Sequence, residues 1–430
     1  MGADVTRPEI FLQIDWMADN IHSHQLSKAA IQTVVDAFAV SPYQAVNVAI
    51  GITVHVDEGA NSVNFPVKLS KAQQLAHVQG LGTGTVNTYS WTAFDGIKNA
   101  PGGFTSTGRG PIFHYIVSAH NISNLSNSGI ARGLPSSDFI VSLGSFADTQ
   151  QQEQGTLMHE LGHNLNLGHG GVDGTNNKPN YFSVMNYSFQ LNGLIVGGVQ
   201  GTIDYSPGSQ PDLDETKLDE FNGLGPRAAT FGTLHWCPAA PAVPGQPPPP
   251  PAAFVTVLNA NGPIDWDCDG TLSPPPLPFD VNNDGKTKPP LAGANDWGRV
   301  ILHVGAIGGS GEAPPIETAL DETLTPETQA MILPSDDLPP VTVASLSPAA
   351  NTKGWKRTAV AVTLTASDDI SGVAATQFNL DNAGFGKFTG PFAVTAEGIH
   401  SLEYFSVDRS QNPEPAHHAV VQIDLTPPHR

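Results

Sequence analysis

The run His159-Glu160-Leu161-Gly162-His163, with His169 six residues on, constrains this chain more than any other feature. Two histidines four apart share one face of an α-helix, a turn from each other. The segment therefore predicts a helix over 151–164 whose two imidazoles meet a single tetrahedral zinc at about 2.0–2.1 Å. A third histidine reaches the same point only if the chain reverses sharply after His163. That reversal calls for a residue tolerant of positive φ, and Asn166, the best non-glycine choice for the left-handed region, stands there. Gly168 and Gly170-Gly171 free the backbone further. Glu160 projects beside the metal and not onto it, where it can take a proton from a zinc-polarised water and pass it to a leaving amine. Structural zinc sites fill all four positions with protein ligands and favour cysteine, and no cysteine lies near these histidines.

The stretch HELGHNLNLGH, followed by Ser183-Val184-Met185-Asn186-Tyr187, resembles the metzincin metallopeptidases, whose motif is HExxHxxGxxH with a later Met-turn under the zinc. The departure is Asn166, where that family usually has glycine. The resemblance covers roughly the first half of the chain. It implies a zinc endopeptidase with His159, His163 and His169 as ligands, Glu160 as general base and Met185 in the Met-turn. Through the astacin-like and serralysin-like branches it also implies Tyr187 as a stabiliser of the oxyanion or an exchangeable zinc ligand. Metzincins resemble one another in binding substrate as an added strand on a sheet edge, and the stretch 128–133 is the candidate edge, with an ordinary surface loop as the alternative. Two other readings stay open: an adhesin whose metzincin-like domain has lost catalysis, and a zinc hydrolase of a non-peptide amide or ester.

The fold class expected is α+β: a metzincin-like mixed sheet with the active-site helix over 1–236, a Pro-rich region with calcium loops over 237–335, and an all-β immunoglobulin-like sandwich over 336–430. In the first region, strands are expected over 10–14, 46–56, 112–119 and 139–143. A helix is expected over 27–40, capped by Ser27, with Ala30, Ile31, Val34, Val35 and Phe38 inward. An amphipathic helix over 213–220 is expected to close the domain, and Asp204 and Tyr205 are candidates for a pocket wall. His22, His24, His55, His77, His114 and His120 read as surface or packed histidines.

The proline tract 247–251 opens the second region. Asp265, Asp267 and Asp269 before Gly270, and Asp280, Asn282 and Asp284 before Gly285, place oxygen ligands at alternate positions before a turn glycine, as the first half of a calcium loop does. Neither has a glutamate at position 12, where Pro276 and Leu291 fall, and ordinary Asp/Asn turns are the alternative. Cys237 and Cys268 are the only cysteines and are expected to pair. In the third region Val360, Val362 and Leu364, then Phe392 and Val394, then Leu402, Tyr404 and Ser406, alternate with the period of a strand. The stretches 360–369 and 397–404 resemble bacterial immunoglobulin-like modules of secreted enzymes, which implies a spacer or a contact with carbohydrate or a cell surface.

Charge excludes one partner class. With 40 acidic against 19 basic residues and a net charge of −21, the chain is poorly suited to nucleic acid, whose phosphates want Lys and Arg. No run approaches the ~20 apolar residues of a membrane helix. A secreted protein acting on protein or peptide is expected, with no signal peptide in the opening residues.

Overall fold

The computed structural model describes residues 4, 6–43, 50–85, 88–123, 126–208, 210–239, 250–302 and 324–426. The chain forms two compact units, one of residues 1–214 with 288–330, the other of 215–287 with 331–430. The expected cuts after 236 and 335 do not coincide with this division. Residues from Lys288 on return to the first unit because they complete its interior. Leu291 exchanges backbone hydrogen bonds with Leu213, and Trp297 packs edge-on against Phe38 and beside Tyr205.

The first unit holds β1 (Glu9–Ala18), α1 (Lys28–Ala39), β2 (Thr53–Asp57), β3 (Gln74–Ala76), α2 (Thr92–Lys98), β4 (Phe113–Ala119), β5 (Gly129–Ala131), β6 (Asp138–Ser142), α3 (Gln150–Asn164), α4 (Tyr187–Gln190), the ribbon β7 (Leu194–Val196) and β8 (Val199–Thr202), and α5 (Pro326–Ala330). Its main sheet runs β2-β1-β4-β6-β5, with β3 also pairing with β1. Every pairing is parallel except β5 on β6. Parallel strands bury both faces, so they read as apolar runs without alternation, and all seven residues of β4 are buried. One face carries Phe11, Phe94, Phe104, Phe113 and Tyr115 in a single apolar cluster. On α1 the Ser27 side chain accepts the Ala30 N–H, and Ala30, Ile31, Val34, Val35 and Phe38 are the buried set, as the periodicity predicted. Of the expected strand 46–56, residues 53–57 form β2 and 46–49 lie outside the described residues, as do 247–249 of the proline tract.

In the second unit, β9 (Thr233–Cys237) pairs with β10 (Ala253–Val257). The remaining strands are β11 (Val341–Ser347), β12 (Trp355–Lys356), β13 (Val360–Ser367), β14 (Val373–Leu380), β15 (Gly386–Lys387), β16 (Phe392–Val394), β17 (Gly398–Asp408) and β18 (His417–Ile423). They form sheets β11-β13-β16 and β12-β18-β17-β14-β15, and Val360, Val362, Leu364 and Val394 of one meet Leu402, Tyr404, Val421 and Ile423 of the other in a shared core. A C-terminal all-β module is therefore present, with the expected residues inward. The expected helix over 213–220 is absent: these residues are turns and bridges. Glu215 and Glu220 are buried carboxylates accepting backbone N–H groups from Val281 and Trp266, a role that holds them away from a helical face.

Two glycine-to-alanine exchanges test this packing with opposite signs. A methyl on Gly96 in α2 meets nothing within 4 Å, whereas one on Gly155 in α3 falls 1.9 Å from the Gln190 carbonyl oxygen of α4. Alanine gains about 1 kcal/mol over glycine inside a helix, but a backbone oxygen cannot retreat, and overpacking costs about 1–3 kcal/mol. Gly96→Ala is expected to raise the denaturant midpoint of the first unit and Gly155→Ala to lower it.

Candidate metal centre

α3 starts from a reciprocal cap, in which Thr149 accepts the Gln152 N–H while the Gln152 side chain takes the Thr149 N–H. It packs on α1, β5 and β6. Its end decides the site. Asn166 adopts φ 77°. The Leu167 N–H donates to Gly162 O at 2.9 Å and the Asn166 N–H to His163 O at 3.0 Å. This pair of bonds is a Schellman ending with asparagine at the left-handed position. The chain reverses there, and His169 comes back against the helix.

The three histidines converge. Nε2 of His163 lies 3.1 Å from Nε2 of His159 and 3.1 Å from Nε2 of His169, and all three rings are buried. Nδ1 of His159 sits 2.8 Å from the Val184 carbonyl oxygen and Nδ1 of His163 2.8 Å from that of Leu167. A carbonyl oxygen only accepts, so both Nδ1 atoms carry the proton, and the Nε2 atoms of these neutral rings present lone pairs. Burial holds all three imidazoles below their ordinary pKa, His163 at about 4, with neighbouring imidazoles adding to the effect for His159 and His169. The Nε2 lone pairs of His159 and His163, 3.1 Å apart with no proton between them, repel each other in a low-dielectric pocket. A cation among them removes that repulsion, and neutral imidazoles with backbone-anchored Nδ1 atoms are the donors zinc takes. The donor set fits a zinc ion.

The segment 183–187 lies under this centre. Met185 is fully buried, and a methyl on Gly162 would fall 2.3 Å from its sulfur. Gly162 thus gives the Met185 side chain room against α3. The Tyr187 hydroxyl lies 3.2 Å from His169 Nε2. Glu160 is 3% exposed, its Oε2 has no hydrogen-bond partner among the described residues, and burial raises its pKa well above the ordinary carboxylate range. A methyl on Gly129 would fall 2.5 Å from Glu160 Oε1, so β5 passes directly over this carboxylate.

β5 is the edge strand of the main sheet, at the place expected for it. The Ser142 N–H donates to Ser128 O and the Arg132 N–H to Asp138 O. That alternation turns the N–H and C=O groups of Gly129 and Ala131 away from β6, and among the described residues they find no backbone partner. Next to them, the Ser128 N–H donates to Leu324 O at 3.1 Å.

Several positioning residues carry no sequence signal of their own. Lys178, fully buried, donates to the carbonyl oxygens of Gly170 and Ala292 at 2.7 Å each and ties down the loop after His169. The Tyr205 hydroxyl donates to Met158 O at 2.6 Å, so Tyr205 braces α3 from within the core. Asp204 accepts the Trp297 indole N–H at 2.9 Å, while its carbonyl takes the Val184 N–H and fixes the turn that holds His159. The Lys178–Ala292, Tyr205–Met158 and Asp204–Trp297 partnerships join residues far apart in the chain.

In the second unit Cys237 and Cys268 form a disulfide. Asp265 accepts the N–H groups of Asp269 and Gly270, and Asp280 those of Asp284 and Gly285, as turn aspartates do. Glu220, Asp265 and Asp267 bring carboxylate oxygens within 4.8 Å of one another. Burial, then the charge of Glu220, raises the Asp265 pKa. Glu220 stands beside the first loop, its Oε1 accepting the Trp266 N–H and its Oε2 the Ser273 N–H; Asn282 is buried in the second loop.

Comparison with known protein families finds none that matches the chain, and comparison with curated proteins finds no match either. Among solved structures there is a likeness to the Clostridium thermocellum CbhA fibronectin(III)-like modules. It covers 21% of this chain and 51% of that chain, about half its length, at 18% identity and a TM-score of 0.17. No described helix is long and apolar enough to cross a membrane.

The turn at Asn166 has a direct test. An alanine there pays the left-handed penalty of about 1–2 kcal/mol, and glycine does not. Asn166→Gly is expected to unfold at the same or a higher denaturant concentration than the parent, and Asn166→Ala at a lower one.

Proposed function

We propose that the first unit is a metzincin-type zinc endopeptidase. The observation that carries this reading is the convergence of three buried Nε2 atoms, those of His159 and His169 each 3.1 Å from that of His163, next in the chain to a buried carboxylate whose Oε2 has no hydrogen-bond partner among the described residues. His159, His163 and His169 would hold the zinc, which when bound supplies a Lewis acid to the attacking water and the scissile carbonyl. The chain's own groups do the rest. Glu160, raised in pKa and free at Oε2, is the base that takes the water's proton and returns it to the departing amine. The Tyr187 hydroxyl donates to the oxyanion as it forms. Gly129 and Ala131 offer outward N–H and C=O groups, so an extended peptide would lie antiparallel along β5, over Glu160. The lack of a side chain at Gly129 lets the backbone approach the base.

In this reading the disulfide supports an extracellular location, and calcium is the ion of the Asp265 loop, with Asp265, Asp267 and Glu220 around it. The second loop, with Asp280, Asn282 and Asp284, would take calcium in the same way. The C-terminal β module serves as a spacer or as a contact with carbohydrate or a cell surface.

Glu160→Gln is expected to retain one equivalent of zinc at the three-histidine centre and to lose casein hydrolysis by about 10²–10⁴-fold, the usual worth of a general base. Tyr187→Phe is expected to lower kcat by about 10²-fold with little change in KM. Undiminished hydrolysis by Glu160→Gln would overturn the mechanism.

A further inference from the structure

Strands β1, β3 and β4 run parallel, so their carboxyl ends emerge on the same edge of the sheet, where open α/β sheets place ligands. The residues that leave those ends are rich in imidazole. Asp19, His22 and His24 follow β1, His77 follows β3, and His120 follows β4. Read one at a time, these histidines look like surface or packed residues; the topology makes them a cluster.

His24 Nε2 lies 3.1 Å from His120 Nδ1, and His77 Nε2 lies 3.4 Å from the same atom. One ligand atom from each of the three residues fits within a 4.8 Å span. His24 is 7% exposed and its Nδ1 is buried with no hydrogen-bond partner among the described residues. The other face of His77 is fixed: its Nδ1 faces Asp19 Oδ2 at 3.5 Å, and the His22 ring stacks on it at 4.9 Å between centroids. Asp19 is itself anchored by the N–H groups of Ile21 and His22, at 2.7 Å each. With its Nδ1 turned toward that carboxylate, His77 directs Nε2 inward, toward His120. This carboxylate–histidine arrangement is the one that orients metal ligands. The His120 ring is pressed onto Gly144, where a methyl would fall 2.5 Å from its Cγ. A pair of neutral imidazoles shares one proton in a hydrogen bond; with two imidazole nitrogens facing Nδ1 of a third ring, a single proton satisfies only one of the two contacts.

We infer that this cluster is a second metal site, in which His24 Nε2, His77 Nε2 and His120 Nδ1 bind one divalent transition-metal cation and Asp19 orients His77 from outside. An all-nitrogen donor set selects zinc, copper or nickel over calcium and magnesium, which want oxygen. The site shares no residue with the His159 centre and stands or falls apart from it. Its bound cation would staple the loop after β1 to the ends of β3 and β4.

The test uses the full chain, stripped with a chelator, reloaded with zinc, desalted and analysed for metal content. In a His159→Ala/His163→Ala background, one equivalent of zinc is expected to remain and to raise thermal stability. Adding His77→Ala and His120→Ala is expected to remove it. If that fourfold variant does not fold, His77→Gln in the same background keeps the volume and must likewise lose the equivalent. Asp19→Asn is expected to weaken binding about ten- to a hundredfold. Zinc that is retained when His77 and His120 are replaced, or a His159→Ala/His163→Ala protein that binds none, would overturn the inference. A parent protein that binds only the equivalent lost with His77 and His120 would count against the proposed peptidase centre and leave this site intact.

Discussion

The hydrogen bond from His159 Nδ1 to the Val184 carbonyl is the interaction on which the centre depends. It holds the ring in the tautomer that turns its Nε2 lone pair toward His163, and it does so from a segment 25 residues further along the chain. That segment is in turn held by the Asp204 carbonyl, which takes the Val184 N–H. Met185, next in line, fills the space that Gly162 leaves. Remove the anchor and the ring is free to turn, and the two imidazoles on α3 lose their fixed separation. The second ligand uses a shorter version of the same device, with Leu167 as acceptor immediately after the Schellman turn.

That turn links sequence to site most directly. An asparagine at the reversal is the only support in the sequence for a degenerate centre, and the structure gives it φ 77° with both bonds of the helix ending in place. The short polar side chain tolerates the left-handed region at modest cost, so His169 returns to the helix as a glycine would bring it. The support for an inactive site drawn from Asn166 is thereby withdrawn.

What was legible in the chain follows from range. The inward face of α1, the strands at 113–119 and 138–142, the helix over 150–164 and the inward residues of the C-terminal sheets all come from periodicity, which is local. The three histidines and Glu160 were legible because fixed spacing on a helix and one turn brings them together. Lys178, Tyr205 and the Tyr181–Asp296 hydrogen bonds were not, since each depends on a partner far away in sequence. The run 213–220 shows the opposite failure. Its spacing suits a helix, but buried Glu215 and Glu220 bind loop N–H groups some 45 to 65 residues on, and that tertiary demand overrides the pattern. The histidines at 24, 77 and 120 belong with the first group of misses, because only the parallel order of β1, β3 and β4 assembles them.

The central claim is that the three lone pairs at His159, His163 and His169 are arranged around a metal. The most direct measurement is anomalous diffraction above and below the zinc absorption edge from crystals of the zinc-loaded protein. The account predicts a peak about 2.0–2.1 Å from each of the three Nε2 atoms, with no fourth protein ligand from cysteine. Density showing the three rings in these positions with no anomalous peak among them would contradict it.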